Sequence, residues 1–328
     1  MHRESASKGD LVKLTDGTAT EADARRVFEG LRWPNGVRCV FEDCSGAEVY
    51  RLSIKGKTLK SGRIVGPREL FKCKACRRQF SVTKGTIFED SHIPLRTWLV
   101  VMYRMCSSKK SVSARQVERE FGLSHRAAWF MCHRIRWAMT NKNPPKLHGT
   151  VEADETYIGG KPRGHRSHRK PRTMSEAISE SWARKIPVFG MIERKGRVRA
   201  HVMRPVSQDA VERSIFQGVD RNRTHMMTDQ HAVYANIAKM LPHDVIRHES
   251  EYVRGEVHTQ NIDSFWAVLK RGLIGTYHHV DAAYLHQYVA EYEFRHNTRQ
   301  IKDAERFMAL ASQAGGRLDW YVGDQAAS

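Results

Sequence analysis

The sequence predicts a mixed α/β protein of two or three domains, in which a small metal-binding β module and a helical pair precede a larger α/β domain. Three observations predict it. Cysteines fall in two pairs, 39/44 and 73/76; the stretch from Ser113 to Met139 reads as two helices around a glycine; and from His148 to about Ala311 the pattern runs strand, strand, strand, helix, strand, helix.

A chain of 328 residues can bury a sizeable core without disulfides. Its 55 Lys and Arg against 36 Asp and Glu give a formal net charge of +19, a field that concentrates polyanions. No apolar run reaches the roughly 18 residues of a membrane span, and the first thirty residues lack the apolar centre of a signal peptide. The expected setting is a reducing cytosol, and the expected partner is nucleic acid rather than membrane.

In chain order, residues 1–35 combine a polar tail with a short helical pattern in which Ala24, Val27, Phe28 and Leu31 share one apolar side. Residues 36–90 hold short strand-like pieces punctuated by glycine, and residues 91–140 are helical. Asn141 to Pro145 is a linker whose prolines stop the helix. The α/β domain spans residues 147–312. It is interrupted at 159–174 by a basic insertion with six Lys or Arg between Lys161 and Arg172, and residues 313–328 form a tail. The insertion reads equally as a solvated loop and as a DNA-phosphate clamp, with Lys161, Arg163, Arg166, Arg169 and Lys170 as contacts.

Four thiolates from Cys39, Cys44, Cys73 and Cys76 suit one structural zinc. The basic flanks of FKCKACRRQF favour thiolate, whereas the first loop is wider than the usual two-residue gap and carries acidic Glu42 and Asp43. Four cysteines leave no open coordination position, which excludes a catalytic zinc. Cys106 and Cys132, in apolar helical stretches, read as buried small hydrophobes.

In SARQVEREFGLSHRAAWFMCHRIRWAM, one helix runs from about Ser113 to Phe121. Gly122 makes a left-handed turn, and Ser124 caps a second helix starting at His125. This is a helix-turn-helix pattern, whose second helix offers His125, Arg126, His133, Arg134 and Arg136 for polar contact with DNA. An ordinary basic helical hairpin would show the same composition.

Three acids lie where a nucleic-acid-cutting site would need them: Asp154 in VEADETYIGGK, Asp229 in HMMTDQH and Asp263 in HTQNIDSFWAVLKRG. Strand alternation puts Glu152, Asp154 and Thr156 on one face, so Glu152 rivals Asp154. Asp229 ends a short strand. Lys270, about 700° around a helix from Asp263, returns to within roughly 20° of its face, while Asn261, an alternative third ligand, lies about 200° away if the helix includes it. Carboxylates from three segments suit one or two Mg²⁺ or Mn²⁺ ions at phosphate. No G-x-S-x-G elbow supports a serine nucleophile. His278 and His279 are candidates for a place beside substrate.

Across roughly Trp33 to Phe307, the phrases CKACRRQFSVTKGTIFEDSHIPLRTW, VEADETYIGGK, EYVRGEVHTQNIDSFW, LKRGLIGTYHHV and YEFRHNTR resemble the bacterial insertion-sequence transposases of the DDE class, in the ISXO-type group with an N-terminal zinc ribbon. The resemblance implies an RNase H-like catalytic domain, recognition of terminal inverted repeats in double-stranded DNA, metal-dependent cleavage and strand transfer, and a homo-oligomer when two ends are synapsed. It favours Asp154 over Glu152 as the first acid and makes Asp229 the second. At the third position, where the group usually has Glu and sometimes Asn, this chain has Asp263. That side chain is shorter by one methylene, which keeps alive a repeat-binding protein without catalysis; a nuclease or resolvase of another mobile system is a third reading.

Overall fold

The structure is a computed structural model that describes residues 10–44, 46, 48–58, 61–62, 64–65, 68–159, 185–246 and 258–316. The chain divides into two units, one made of residues 1–139 and 301–328 and the other of residues 140–300. The basic insertion contacts from Lys161 to Lys170 lie outside the described residues.

The first unit opens with helices α1 (Asp10–Gly17) and α2 (Glu21–Arg32). A reciprocal cap starts α2: the Asp23 amide donates to the Thr20 hydroxyl at 3.1 Å, and the Thr20 amide donates back to the Asp23 carboxylate at 3.1 Å. Ala24 and Phe28 bury its apolar side. Strands β1 (Val49–Ile54), β2 (Lys57–Thr58), β3 (Ile64–Val65), β4 (Arg68–Cys73) and β5 (Gln79–Phe80) follow. β4 lies between β1 and β5, both antiparallel to it. Phe71 and Phe80 stack with Trp33 and Phe41 at centroid distances of 5.5 to 6.3 Å, giving this small module a core.

Helix α3 (Leu95–Ser107) is buried along most of its length, from Leu95 and Trp98 to Met105 and Cys106. The predicted helical pair forms as α4 (Ala114–Phe121) and α5 (His125–Met139). Ser113 accepts from the Gln116 amide at 3.2 Å, Gly122 turns at φ 62°, and Ser124 accepts from the Ala127 amide at 3.3 Å. Cys106 and Cys132 are fully buried, as expected of small hydrophobes.

The second unit is built on a sheet of β6 (Leu147–Ile158), β7 (Ile186–Glu193), β8 (Val198–Val202), β9 (Val219–Asp229) and β10 (His243–Ile246). The spatial order is β10-β9-β6-β7-β8: β6, β7 and β8 form an antiparallel meander, and β9 and β10 run parallel to β6. α6 (Gln208–Gly218) connects β8 to β9 and covers one face, where Val151 and Ala153 of β6 pack with Val211, Ile215 and Met226. α7 (Gln260–Gly272) and α8 (Leu285–Asn297) cover the other face with Ile262, Trp266, Leu269 and Val289. The alternation read in VEADETYI is thus the division of β6 between two cores.

β8 is an edge strand, and α8 blunts it. Asn297 accepts from the Val198 amide at 2.8 Å and donates to its carbonyl at 2.9 Å, while Glu293 accepts from the Ala200 amide at 3.1 Å. The second unit ends at Gln300, short of the expected boundary at 312. Helix α9 (Asp303–Ser312) joins the first unit instead, where Arg306 donates to the Cys106 carbonyl at 2.8 Å and Phe307 lies 6.0 Å from Tyr103.

Candidate metal centre and carboxylate site

The four predicted cysteines come together. Cys39 Sγ lies 3.8 Å from Cys76 Sγ, Cys44 Sγ lies 3.7 Å from Cys73 Sγ, and all four sulfurs are within 4.8 Å of one another. Cys73 ends β4, and Gly46 gives the first loop room to close over it. A Cβ there would meet Cys73 Sγ at 2.7 Å and Ala75 Cβ at 2.9 Å. The wide first loop is held by its acid: Asp43 pairs with Arg78, whose guanidinium also stacks 4.0 Å over Phe41. The same Arg78 hydrogen-bonds the Cys76 thiol and lowers its pKa to about 6, the direction a metal ligand needs. Four soft donors this close suit one tetrahedral zinc. Purified protein is expected to carry about one equivalent of zinc and to lose its cooperative melt, at least in the first unit, on chelation. Less than about half an equivalent, with an unchanged melt, would contradict this.

The second site grows out of β6. In the parallel pairing of β6 with β9, Glu152 faces Met227, and continuing that register by two residues sets Asp154 level with Asp229, the last residue of β9. Side chains level on neighbouring parallel strands share a face. Asp263, in the first turn of α7, belongs to the helix on that face. Asp154 feels the charges of the other two acids. Burial and then the charges of Glu155, Asp263 and Asp229 push the Asp154 carboxyl up to about 7. Among the described residues the cysteines are the one group of three or more His, Cys, Asp or Glu placed to hold a metal ion, and the three carboxylates do not form such a group. Asp229 accepts from the His231 amide at 2.9 Å, and Asp263 accepts from the Thr259 hydroxyl at 3.4 Å.

The rival acid has another occupation. Glu152 is fully buried and accepts from the backbone amides of Asn261 at 2.8 Å and Ile262 at 3.1 Å, the Asn261 side-chain amide at 2.7 Å and Arg194 Nε at 3.0 Å. The residue preceding α7, Thr259, makes no side-chain cap, so Glu152 satisfies the exposed amides of the first turn from across the sheet. Asn261, the alternative third ligand, is engaged in this cluster through its nitrogen atoms. α7 begins at Gln260 and includes Asn261, and its amide is directed to Glu152.

Lys270 is exposed two turns along α7 from Asp263, and His278 and His279 are exposed just after α7. Arg126 is exposed and His125 half-buried at the start of α5. Arg134 is a correction: it is buried, donates to the Glu89 carbonyl at 2.9 Å and stacks 4.8 Å over Phe130. His133 and Arg136 are buried too, because the second half of α5 lies inside the first unit. A reading face on α5 is therefore confined to its first turn.

Three participants escaped the sequence reading. Trp266 donates its indole N–H to Asp154 Oδ2 at 2.9 Å. Tyr234 donates to Glu155, whose carboxyl is raised by burial and lies near Asp229 and His231. Arg194 completes the Glu152 cluster. Only Trp266 left a signal, three residues beyond Asp263 and so on its side of a helix.

Residues 146–297 match the ISXO2-like transposase domain family, and residues 19–79 match the transposase zinc-ribbon domain family. A relative from Halobacterium salinarum, described as an uncharacterized protein in transposable element ISH50, is 28% identical over 262 residues, covering 77% of this chain and 83% of its own. With a cysteine-clustered ribbon ahead of a carboxylate-bearing α/β unit, the class is transposase. The chain belongs to the ISXO2-like transposases that carry an N-terminal zinc ribbon. No helix among the described residues is long and apolar enough to cross a membrane.

Proposed function

We propose that this protein cuts DNA at the terminal inverted repeats of its insertion sequence and joins the ends to target DNA, with Asp154, Asp229 and Asp263 holding a divalent cation. The observation that carries the proposal is that Asp154 feels the charges of both other acids, which come from segments far apart in sequence. The strand order, a three-stranded meander extended by two parallel strands, supports an RNase H-like fold. The charges of Asp229 and Asp263 acting on half-buried Asp154 mark a place suited to a cation, and the hard oxygens of the three suit Mg²⁺ or Mn²⁺. Such an ion supplies charge stabilisation at the phosphate and activates a water or a 3′-hydroxyl. The chain's own residues fix the geometry: the β6–β9 register sets two acids side by side, and Glu152 docks the helix bearing the third. Lys270 serves phosphate nearby. His125 and Arg126, with the helix-turn-helix to which they belong, and the basic insertion hold duplex DNA, and two copies of the chain synapse the two ends.

The test is incubation of a labelled duplex carrying the element's end with Mg²⁺. Cleaved and strand-joined products are expected. Binding that weakens steeply with salt, without metal-dependent cleavage, would instead show a repeat-binding protein, a reading favoured by the shortness of Asp263. Cutting without joining would indicate a nuclease.

A further inference from the structure

We infer that Trp266 is a positioning residue for the carboxylate site: its indole N–H fixes Asp154 and ties the helix of Asp263 to the strand of Asp154. The inference rests on the proposed carboxylate site and adds to it a group outside the acidic trio.

Four observations converge on this. The indole nitrogen lies 2.9 Å from Asp154 Oδ2, and the ring is 3% exposed. An indole is a donor only, so it anchors a carboxylate without competing for a cation, and a bond to Oδ2 leaves Oδ1 unspent. The residue paired with Asp154 across the β6–β7 ladder is Gly190, and a Cβ there would meet the Trp266 ring at 2.5 and 2.7 Å and Ile262 Cδ1 at 3.2 Å. Its backbone needs no left-handed conformation, so close approach is the reason a glycine serves at this position. Finally, Trp266 is one helical turn beyond Asp263, and Glu152 grips the start of the same helix. Between them, Glu152 holds the helix by its end and Trp266 holds it by its side, and the second grip falls on a proposed metal ligand.

Hydrogen-bond partners of metal ligands typically control affinity by ten- to a hundredfold. Trp266→Phe keeps a ring over Gly190 and deletes the donor. The variant is expected to melt cooperatively while its Mn²⁺ affinity, read by calorimetry in the full chain without DNA, falls about tenfold or more. A packing role alone would lower the melting temperature and leave Mn²⁺ affinity unchanged, and that result would overturn the inference. Should Trp266→Phe fail to fold, the wild-type protein decides. The Trp266 indole proton resonance is expected to move on Mg²⁺ addition, and a resonance indifferent to Mg²⁺ would count against the role. Asp154→Asn separates the two levels. If it too keeps wild-type Mn²⁺ affinity, the carboxylate site itself falls; if it loses binding while Trp266→Phe retains it, only the role of Trp266 falls.

Discussion

Glu152→Ala is expected to destabilise the second unit by about 3–5 kcal/mol, the usual cost of breaking a buried ionic cluster by removing one member. The substitution removes the carboxylate partner of Arg194, deprives the Asn261 and Ile262 amides of their acceptor, and leaves a void under the start of α7. Against a total stability of roughly 5–15 kcal/mol, this is enough to unfold much of the population near physiological temperature. Glu152→Gln retains one acceptor oxygen and is expected to fall between the two. Denaturant melts decide, and a Glu152→Ala midpoint close to wild type would show that α7 is docked by its apolar face alone. Strand-cleavage activity is expected to fall with the fold. Glu152 thus belongs to the scaffold even though it shares a strand face with Asp154.

Asp154→Asn is expected to do the opposite to the fold and to abolish cleavage, by about a thousandfold or more, the scale on which removing a central electrostatic group acts. In the metal-free protein, burial first and then Glu155, Asp263 and Asp229 raise the Asp154 carboxyl from 3.8 to about 7. The folded state therefore binds more protons than the unfolded state between about pH 4 and pH 7, and wild-type stability falls as pH rises through that window. An Asn removes the penalty. The metal-free variant should melt higher than wild type above about pH 7, and the two should converge below about pH 4. Wild-type Mn²⁺ affinity should rise with pH through about 7, because the cation displaces a proton from Asp154. Variant and wild-type melts that stay parallel at every pH would show that neither burial nor the neighbouring acids penalise the Asp154 carboxylate.

The parts that sequence made legible are those with local signatures. Ser113, Gly122 and Ser124 mark the helix ends because caps and left-handed turns are settled within three or four residues. The alternation of β6 put Glu152 and Asp154 together on the face that α7 covers, and the cysteine pairs marked the ribbon. What stayed hidden depends on distant partners. Arg134 looks like any basic helix residue until Glu89 is known to stand opposite it. Glu152 and Asp154 are indistinguishable by periodicity, and only the arrival of Asn261 and Ile262 at one and Trp266 at the other separates their roles. α9 reads as the last helix of the α/β domain because nothing local says that its Arg306 reaches Cys106.

The most direct measurement is Mn²⁺ binding to the full chain and to Asp154→Asn, Asp229→Asn and Asp263→Asn, each variant checked for a cooperative melt. Convergence of the three acids on a common cation site predicts binding in the wild type that each substitution weakens severely. Wild-type affinity in all three variants, or loss in one alone, would contradict it.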